Sequence, residues 1–266
     1  MTVLAHHQGQ DSLRRPASTP PCGAGWDALR SFALAAAAAS DRDKEVIPVV
    51  LDLPGETVCQ LAALLSDAEL RRAGRFRQLR DRHRYIVAHA RLRQLLAERL
   101  ALRPHAVAIG CNAQGKPELR GRQAASGWHF NLSYSDGAGG GLALCVLSRR
   151  GPIGVDVEAV RRLDDADSLA RQFFSGREYA IYRLLSPEDR PLGFFNCWTR
   201  KEAVVKALGT GLSHDLGAFD VSLAPGQPAY ILGLGGAPGE LCGWRLESIG
   251  PIGGRVAALV TPRMAR

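Results

Sequence analysis

Two acidic residues, Asp156 and Glu158, stand two positions apart in segment 154–158, which reads Gly-Val-Asp-Val-Glu. If this segment is a strand, both side chains point to one face and lie about 6.6 Å apart along it. Carboxylates this close repel each other unless a positive charge lies between them. Mg²⁺ suits the position because proteins commonly hold it with one or two carboxylates plus substrate phosphates. A solvated strand face, with both valines toward the core, is the more common origin of so short a pattern.

A second group of chemically active side chains falls in segment 198–209. At about 100° per residue, Trp198, Glu202 and Lys206 lie within one sector of ~80° on a helix. An ordinary surface ion pair has the same four-residue spacing. Tryptophan is usually packed, however, so the neighbouring charges are expected to be sheltered. Under this interpretation Glu202 is a third metal ligand or a proton acceptor, and Lys206 contacts a phosphate.

Arginines are concentrated between positions 71 and 84. Guanidinium groups bind phosphates through charge-assisted, often bidentate hydrogen bonds. A solvated basic face explains most of these residues equally well, and nucleic-acid binding is a further alternative. That alternative is weakened because only Phe76 and Tyr85 supply aromatic rings here and no recognised nucleic-acid motif is present. The cluster consists of Arg71, Arg72, Arg75, Arg77, Arg80, Arg82 and Arg84.

Two further segments offer small polar groups. Lys116 lies in a Gly-Lys-Pro turn, and Ser133 and Tyr134 lie near the end of an expected strand. Hydroxyl groups, backbone N–H groups and one lysine can together bind a phosphate. Taken singly, each segment is also typical of a plain turn or strand end.

Composition limits the class of protein. The 266 residues carry a net charge of +8, which favours anionic partners such as phosphorylated cofactors and acidic proteins. No apolar run approaches the ~20 residues that cross a bilayer, so no membrane partner is expected. The six cysteines form no CxxC pair, which argues against structural zinc and favours the reducing cytoplasm.

Strands and helices alternate in two similar batches that divide near residues 149–152. We therefore predict an α+β fold with two comparable lobes, 45–151 and 152–266, after a flexible arm at 1–44 that contains one helix over 27–39. Ser66 and Glu69 predict a capping box, and Gly209 predicts a helix end. Strands are expected at 47–53, 106–109, 129–133, 141–148 and 153–158, and helices at 61–78, 82–100, 163–174, 178–185 and 192–208.

The order and spacing of these motifs resembles the 4′-phosphopantetheinyl transferase superfamily, in particular the monomeric type that activates surfactin synthetase. The resemblance covers roughly residues 45–225. Its two most specific pieces are 154–158 and 198–212, which are separated as the family requires. The Gly-Lys-Pro of 115–117 and the Phe-Asn-Leu-Ser of 130–133 precede them in the family's order.

The resemblance implies two lobes related by a pseudo-twofold axis, with coenzyme A in the cleft between them. It implies transfer of the phosphopantetheine arm to a serine of an apo acyl or peptidyl carrier protein, with release of adenosine 3′,5′-bisphosphate. Asp156, Glu158 and Glu202 would hold Mg²⁺ against the pyrophosphate, and Glu202 would take the proton of the serine. Asp156, Glu202 and Lys206 would thus be catalytic. The nucleotide and its phosphates would be held by Arg72, Arg84, Lys116, Ser133, Tyr134 and Lys206.

Tyr134 departs from the family pattern, because relatives usually have a phosphate-contacting histidine between the two serines. Tyrosine still donates one hydrogen bond, but it is neutral near pH 7 and bulkier, so the affinity for coenzyme A is expected to differ. The resemblance further implies a monomer that acts in secondary-metabolite biosynthesis. Two alternatives stay open: a degenerate relative that binds coenzyme A without turnover, and a basic nucleic-acid-binding protein.

Overall fold

The computed structural model describes residues 24–137, 139–211, 215–234, 241 and 243–263. Its helices are α1 (Ala24–Ala38), α2 (Gly55–Ala62), α3 (Asp67–Ala73), α4 (Leu79–Leu100), α5 (Ala166–Phe173), α6 (Gly176–Leu184) and α7 (Arg190–Leu208). Its strands are β1 (Lys44–Val50), β2 (Ile109–Cys111), β3 (Pro117–Leu119), β4 (His129–Ser135), β5 (Leu142–Ser148), β6 (Gly154–Ala159), β7 (Phe219–Val221), β8 (Ile231–Leu234), β9 (Trp244–Ile252) and β10 (Arg255–Pro262). In this described part of the chain, no helix is long and apolar enough to cross a membrane.

Two three-stranded antiparallel sheets form the centre of the molecule. Their strand orders are β1-β5-β4 and β6-β10-β9. In each sheet the first strand along the chain pairs with the third, and the second strand lies at the far edge. The longest helix of each half, α4 or α7, comes between the first and second strands. This shared order confirms the predicted α+β architecture with two similar halves, while the boundaries 45–151 and 152–266 stay predictions.

Alternation along the central strands explains how the layers stack. In β5, residues 143, 145 and 147 belong to the core covered by α4, and residues 142, 144 and 146 belong to a core between the sheets. In β10, residues 256, 258 and 260 belong to the core covered by α7, and residues 257 and 259 face the first sheet. Each sheet is therefore covered by its own long helix on one face and by the other sheet on the opposite face.

Strand β6 follows the same alternation. Val155 and Val157 lie in the core between the sheets. Asp156 and Glu158 occupy the alternate positions and therefore point to the opposite face, toward α7. The predicted placement of the two acids on one strand face is thus present.

The helix expected over 27–39 within the predicted arm is present at residues 24–38, while the arm's boundaries stay a prediction. These residues form α1, which packs against β1 and β9. Leu29, Phe32 and Ala36 are at most 1% exposed and belong to the core between the sheets. The burial of these side chains holds the helix in place. Residues 1–23 lie outside the described part of the chain.

The predicted helix ends were correct where a capping residue or a glycine determines the backbone conformation. Ser66 and Glu69 form the predicted capping box, and α7 ends at Gly209, whose φ is 73°. The helix expected over 61–78 is instead α2 and α3, because the extended backbone of Ser66 begins a new helix there. The short strand expected at 106–109 lies at Ile109–Cys111, after a 3₁₀ turn at Pro104–Ala106.

Candidate active site

Gly154 lets helix α7 approach strand β6 closely. A Cβ atom at position 154 would lie 2.0 Å from the carbonyl oxygen of Ala203 and 2.5 Å from the backbone nitrogen of Ala207. Any other residue would therefore push the helix away. The turn of α7 that touches Gly154 is the one that carries Glu202 and Lys206. Glycine at this position thus brings both charged side chains to the acidic face of β6.

Asp156 is the centre of the site and has no exposed surface. Its Oδ1 accepts hydrogen bonds from Lys206 Nζ at 2.6 Å and from Ser133 Oγ at 2.9 Å. Its Oδ2 is buried and has no hydrogen-bond partner among the described residues. A buried carboxylate oxygen without a partner is unusual and marks a place where a ligand can supply one.

Two more acids, Glu158 and Glu202, lie close to Asp156. Burial is the largest cause that raises the pKa of Glu158 to about 8; the charge of Asp156 adds to it, and Arg161 and Lys206 oppose it. Burial also raises the pKa of Glu202, to about 7; Lys206 opposes this shift and Asp156 adds to it. The charge of Asp156 therefore opposes the ionisation of Glu158 and of Glu202, and additional positive charge would favour it.

Lys206 is held at the site by these acids. Burial lowers its pKa, but the charges of Asp156 and Glu202 more than offset this effect, so the net pKa is raised. The ammonium group stays charged at neutral pH and also donates to Ser133 Oγ at 3.3 Å. Lys206 thus lies near all three carboxyl groups.

The three acids do not by themselves form a closed metal centre. In residues 24–263, leaving out the undescribed gaps, no group of three or more His, Cys, Asp or Glu side chains is arranged to hold a metal ion. A hard divalent cation here would need oxygen ligands from a substrate in addition to those of the protein. Mg²⁺ is bound in this shared way at many phosphate sites.

Tyr134 and Arg72 lie at the rim of the site. Tyr134 is 37% exposed. Burial raises its pKa, while the charges of Arg72 and Lys206 lower it, which places both cations near the phenol. The Arg72 guanidinium also lies over the ring of Tyr85, 5.9 Å from its centre. These two rim residues form a polar and basic edge beside Lys206.

Arg84 is engaged elsewhere. Its Nε and Nη2 donate to the two carboxylate oxygens of Asp52 at 2.6 and 2.8 Å, and its Nη1 lies 2.9 Å from Asp136 Oδ2. Asp52 also accepts the backbone N–H of Gly141, so this network holds the turn between β4 and β5. A phosphate could bind Arg84 only by displacing one of these carboxylates.

Lys116 is also committed to the protein. Its Nζ donates to the carbonyl oxygens of Ile153 and Ala207, each at 3.2 Å. Burial lowers its pKa to about 8. It lies in a cleft of about 280 Å³ that Trp128 and His129 also line. Lys116 therefore joins the segment before β6 to the end of α7, behind the acidic face rather than on it.

The structure thus brings together Asp156, Glu158, Glu202, Lys206 and Ser133, with Arg72 and Tyr134 at the rim. Sequence reasoning missed Asn131 and Ser135, which flank Ser133 on the same side of β4. Asn131 Oδ1 accepts the backbone N–H of Val155 at 2.8 Å, and Ser135 Oγ accepts that of Ala159 at 2.9 Å. The signal was available as three polar residues at alternate positions of one expected strand, 131, 133 and 135.

Comparison with known proteins yields a consistent family. A family model described as the 4′-phosphopantetheinyl transferase superfamily matches residues 152–260, and one described as 4′-phosphopantetheinyl transferase, N-terminal, matches residues 54–139. The chain is 39% identical to 4′-phosphopantetheinyl transferase HetI of Nostoc sp., over 69% of this chain and 75% of that protein. It is 27% identical to 4′-phosphopantetheinyl transferase Sfp of Bacillus subtilis, over 60% of this chain and 67% of that protein.

Among solved structures, the chain resembles the holo-[acyl-carrier-protein] synthase of Thermotoga maritima. The TM-score is 0.35 and the sequence identity 21%, over 43% of this chain and 64% of that chain. This likeness is too low to support an inference.

Proposed function

The chain belongs to the 4′-phosphopantetheinyl transferase superfamily, and we propose that it transfers the 4′-phosphopantetheine arm of coenzyme A to a serine of an apo acyl or peptidyl carrier protein. Adenosine 3′,5′-bisphosphate is the second product. The observation that carries the proposal is the meeting of α7 with β6, where Lys206 Nζ lies 2.6 Å from Asp156 Oδ1 beside two further acids. Acids and a lysine in this arrangement suit the binding of a pyrophosphate through a divalent cation.

The donor set fits Mg²⁺. Asp156 Oδ2 is buried without a partner among the described residues, and burial together with the charge of Asp156 raises the pKa of Glu158 and of Glu202. Asp156, Glu158 and Glu202 would hold the cation together with phosphate oxygens of coenzyme A. When bound there, the cation supplies charge neutralisation at the pyrophosphate.

The protein's own groups then account for the remaining chemistry. The oxygen of the carrier serine attacks the phosphorus that bears the pantetheine arm, and the bond from that phosphorus to the bridging oxygen of the pyrophosphate breaks. Glu202 takes the proton of the serine, as a carboxylate placed beside the reacting groups can do. Lys206 faces the new charge on the leaving phosphate. The protein forms no covalent bond, because phosphoryl transfer depends mainly on positioning and electrostatics.

The proposed nucleotide contacts differ in how available they are. Arg72 and Tyr134 offer donors at the rim, and Lys206 lies beside them with its Nζ bonded to Asp156 and Ser133. Arg84 would join them only after a phosphate replaces Asp52 or Asp136, since its nitrogens are already bonded to both carboxylates. Lys116 would act from behind the site, through the end of α7 that it holds. Tyrosine at 134 would contact phosphate as a neutral donor.

The remaining parts of the proposal concern the setting. The net charge of +8 would attract an acidic carrier by long-range steering. We propose a monomer, because both similar halves lie in one chain. We further propose a cytoplasmic enzyme of secondary metabolism; the described cysteines Cys59, Cys111, Cys145 and Cys197 are free thiols, which agrees with a reducing compartment.

Intact mass spectrometry tests the proposal directly. An apo carrier protein is incubated with the enzyme, coenzyme A and Mg²⁺, and a mass gain of one phosphopantetheine arm is expected. EDTA should abolish the gain. Asp156→Asn, which keeps the side-chain volume but removes the charge, should lower the rate by at least about a hundredfold. Glu188→Ala provides the matched control, because this exposed acid lies before α7, far from Lys206.

The alternatives predict different results. A degenerate relative would bind coenzyme A, as measured by calorimetry, and would modify none of several unrelated apo carriers. A nucleic-acid-binding protein would bind DNA or RNA tightly, and Asp156→Asn would not change that affinity. Transfer that persists in EDTA at the full rate would contradict the assignment of Mg²⁺ while leaving the reaction intact.

A further inference from the structure

The two sheets meet along the edge strands β4 and β6, which belong to different sheets. Side chains of β4 accept the backbone N–H groups along the edge of β6. Asn131 Oδ1 accepts from Val155, Ser133 Oγ from Val157 at 3.4 Å, and Ser135 Oγ from Ala159. We call these three contacts the seam. Each step of two residues on β4 matches a step of two on β6, so the seam fixes the register between the sheets.

Ser133 forms more than a structural contact in this seam. Its hydroxyl donates to Asp156 Oδ1 at 2.9 Å while accepting from Val157 N–H and from Lys206 Nζ at 3.3 Å. A hydroxyl has one hydrogen and two lone pairs. The three partners therefore use its hydrogen and both lone pairs, and no hydrogen bond is left for a nucleotide.

The other two residues of the seam, Ser135 and Asn131, bind the acids of β6 weakly or not at all. Ser135 reaches Glu158 Oε2 at 3.3 Å, but its single hydrogen is shared with the carbonyl oxygen of Asp136 at 3.2 Å. Asn131 bonds the backbone next to Gly154, where no acid is present. Ser133 thus binds Asp156 with a full hydrogen bond, and Ser135 binds Glu158 with a shared one. Asn131 binds only the backbone of β6.

We infer that Ser133 is a positioning residue that acts through Asp156, and that it is not a contact to the nucleotide. Its hydroxyl fixes Asp156 Oδ1 toward Lys206, which leaves the unpartnered Oδ2 of Asp156 available to bind a cation. Ser135 positions Glu158 in the same way through its weaker, shared hydrogen bond. This inference rests on the proposed function, since it assigns the two serines to the acids of that site.

Metal and nucleotide affinity, measured separately, test the assignment. Mn²⁺ serves as the probe, with its Kd measured by electron paramagnetic resonance at saturating coenzyme A. The Kd of coenzyme A is measured by calorimetry in EDTA. Ser133→Ala should raise the Kd of Mn²⁺ about tenfold or more, as is typical when a partner of a metal ligand is lost. The Kd of coenzyme A in EDTA should change less than about twofold, and Ser133→Thr should restore Mn²⁺ binding because it keeps the hydroxyl.

Asn131→Ala is the matched control, because it removes one contact of the seam without touching an acid. Both alanine variants should lower stability in urea unfolding, but Asn131→Ala should leave the Kd of Mn²⁺ within about twofold. If Ser133→Ala does not fold, Ser133→Cys supplies a side chain of similar size with a weak donor.

Three results would overturn the inference. Weaker coenzyme A binding in EDTA with unchanged Mn²⁺ affinity would make Ser133 a nucleotide contact. Equal losses of Mn²⁺ affinity in Ser133→Ala and Asn131→Ala would make the seam purely structural. A wild-type protein that binds neither Mn²⁺ nor coenzyme A would refute the proposed function and this inference with it. If the wild type transfers the arm and Ser133→Ala leaves the Kd of Mn²⁺ unchanged, the inference alone is refuted.

Discussion

Asp156 interacts with both a cation and two acids. Its Oδ1 forms a 2.6 Å ion pair with Lys206 Nζ, and its charge adds to the effect of burial in raising the pKa of Glu158 and of Glu202. Additional positive charge at this position would favour the ionised forms of Glu158 and Glu202. Under the proposed function, a divalent cation bound with a diphosphate would supply that charge and a partner for the buried Oδ2 of Asp156.

Glu69, outside the site, allows a sharp pH prediction. Burial raises its pKa, but hydrogen bonds from His89, Ser66 and Arg93 lower it more, to about 2 from 4.5. Because the folded-state pKa is depressed, the stabilisation is present above about pH 4.5 and is lost as the pH falls toward 2. Glu69→Gln should lower the free energy of unfolding at pH 7 by about 3 kcal/mol, with a smaller loss at pH 3.

Urea unfolding at a series of pH values measures this effect. The exposed Glu98 is the control, since Glu98→Gln should shift the unfolding free energy by less than about 0.5 kcal/mol at every pH. A Glu69→Gln variant whose deficit stays constant from pH 7 to pH 3 would show that the loss comes from packing rather than from ionisation.

At the scale of elements, the close contact between β6 and α7 decides the geometry of the site. Gly154→Ala would place a Cβ atom 2.0 Å from the carbonyl oxygen of Ala203, so the helix must move outward. Glu202 and Lys206 would move with it. A displacement of about 1 Å at a catalytic group can lower the rate about a hundredfold, and this is the expected loss in kcat.

Gly176→Ala is the matched control for that substitution. Gly176 begins α6, and a Cβ atom there meets nothing within 4 Å. This variant should keep the wild-type rate and should not lose stability, because alanine favours a helix over glycine. A Gly154→Ala protein with unimpaired transfer would contradict the view that the approach of α7 positions the site.

The elements also show which features a sequence can reveal. The capping box at Ser66 and the end of α7 at Gly209 depend on neighbours within a few residues, and both were predicted. The clustering of Asp156 with Lys206, fifty positions apart, was one interpretation of two separate motifs, and the family resemblance was needed to choose it over a surface ion pair. The binding of Arg84 to Asp52 and the seam of Asn131 and Ser135 with β6 were missed. Both depend on which strands become neighbours, which local periodicity does not encode.

At the scale of the whole molecule, the repeated topology creates two junctions between the sheets. One is the seam of β4 and β6, which carries the site. At the other, β1 faces β9, Lys44 lies 3.3 Å from Glu247, and α1 covers both strands. The two junctions thus differ: one carries the acids and lysine of the site, and the other holds an ion pair and is covered by α1. The site needs a fixed relation between the sheets, because Ser133 and Asp156 come from different sheets.

Phe32 tests whether α1 maintains that relation. Its ring is 0% exposed in the core between the sheets, and Phe32→Ala should lower the free energy of unfolding by about 3–5 kcal/mol. Leu34 on the same helix is 65% exposed, so Leu34→Ala should change it by less than about 0.5 kcal/mol. If α1 keeps the sheets in register, folded Phe32→Ala protein should also lose affinity for Mn²⁺ in the presence of coenzyme A. Reduced stability with unchanged Mn²⁺ affinity would instead show that the seam of β4 and β6 maintains the site without help from α1.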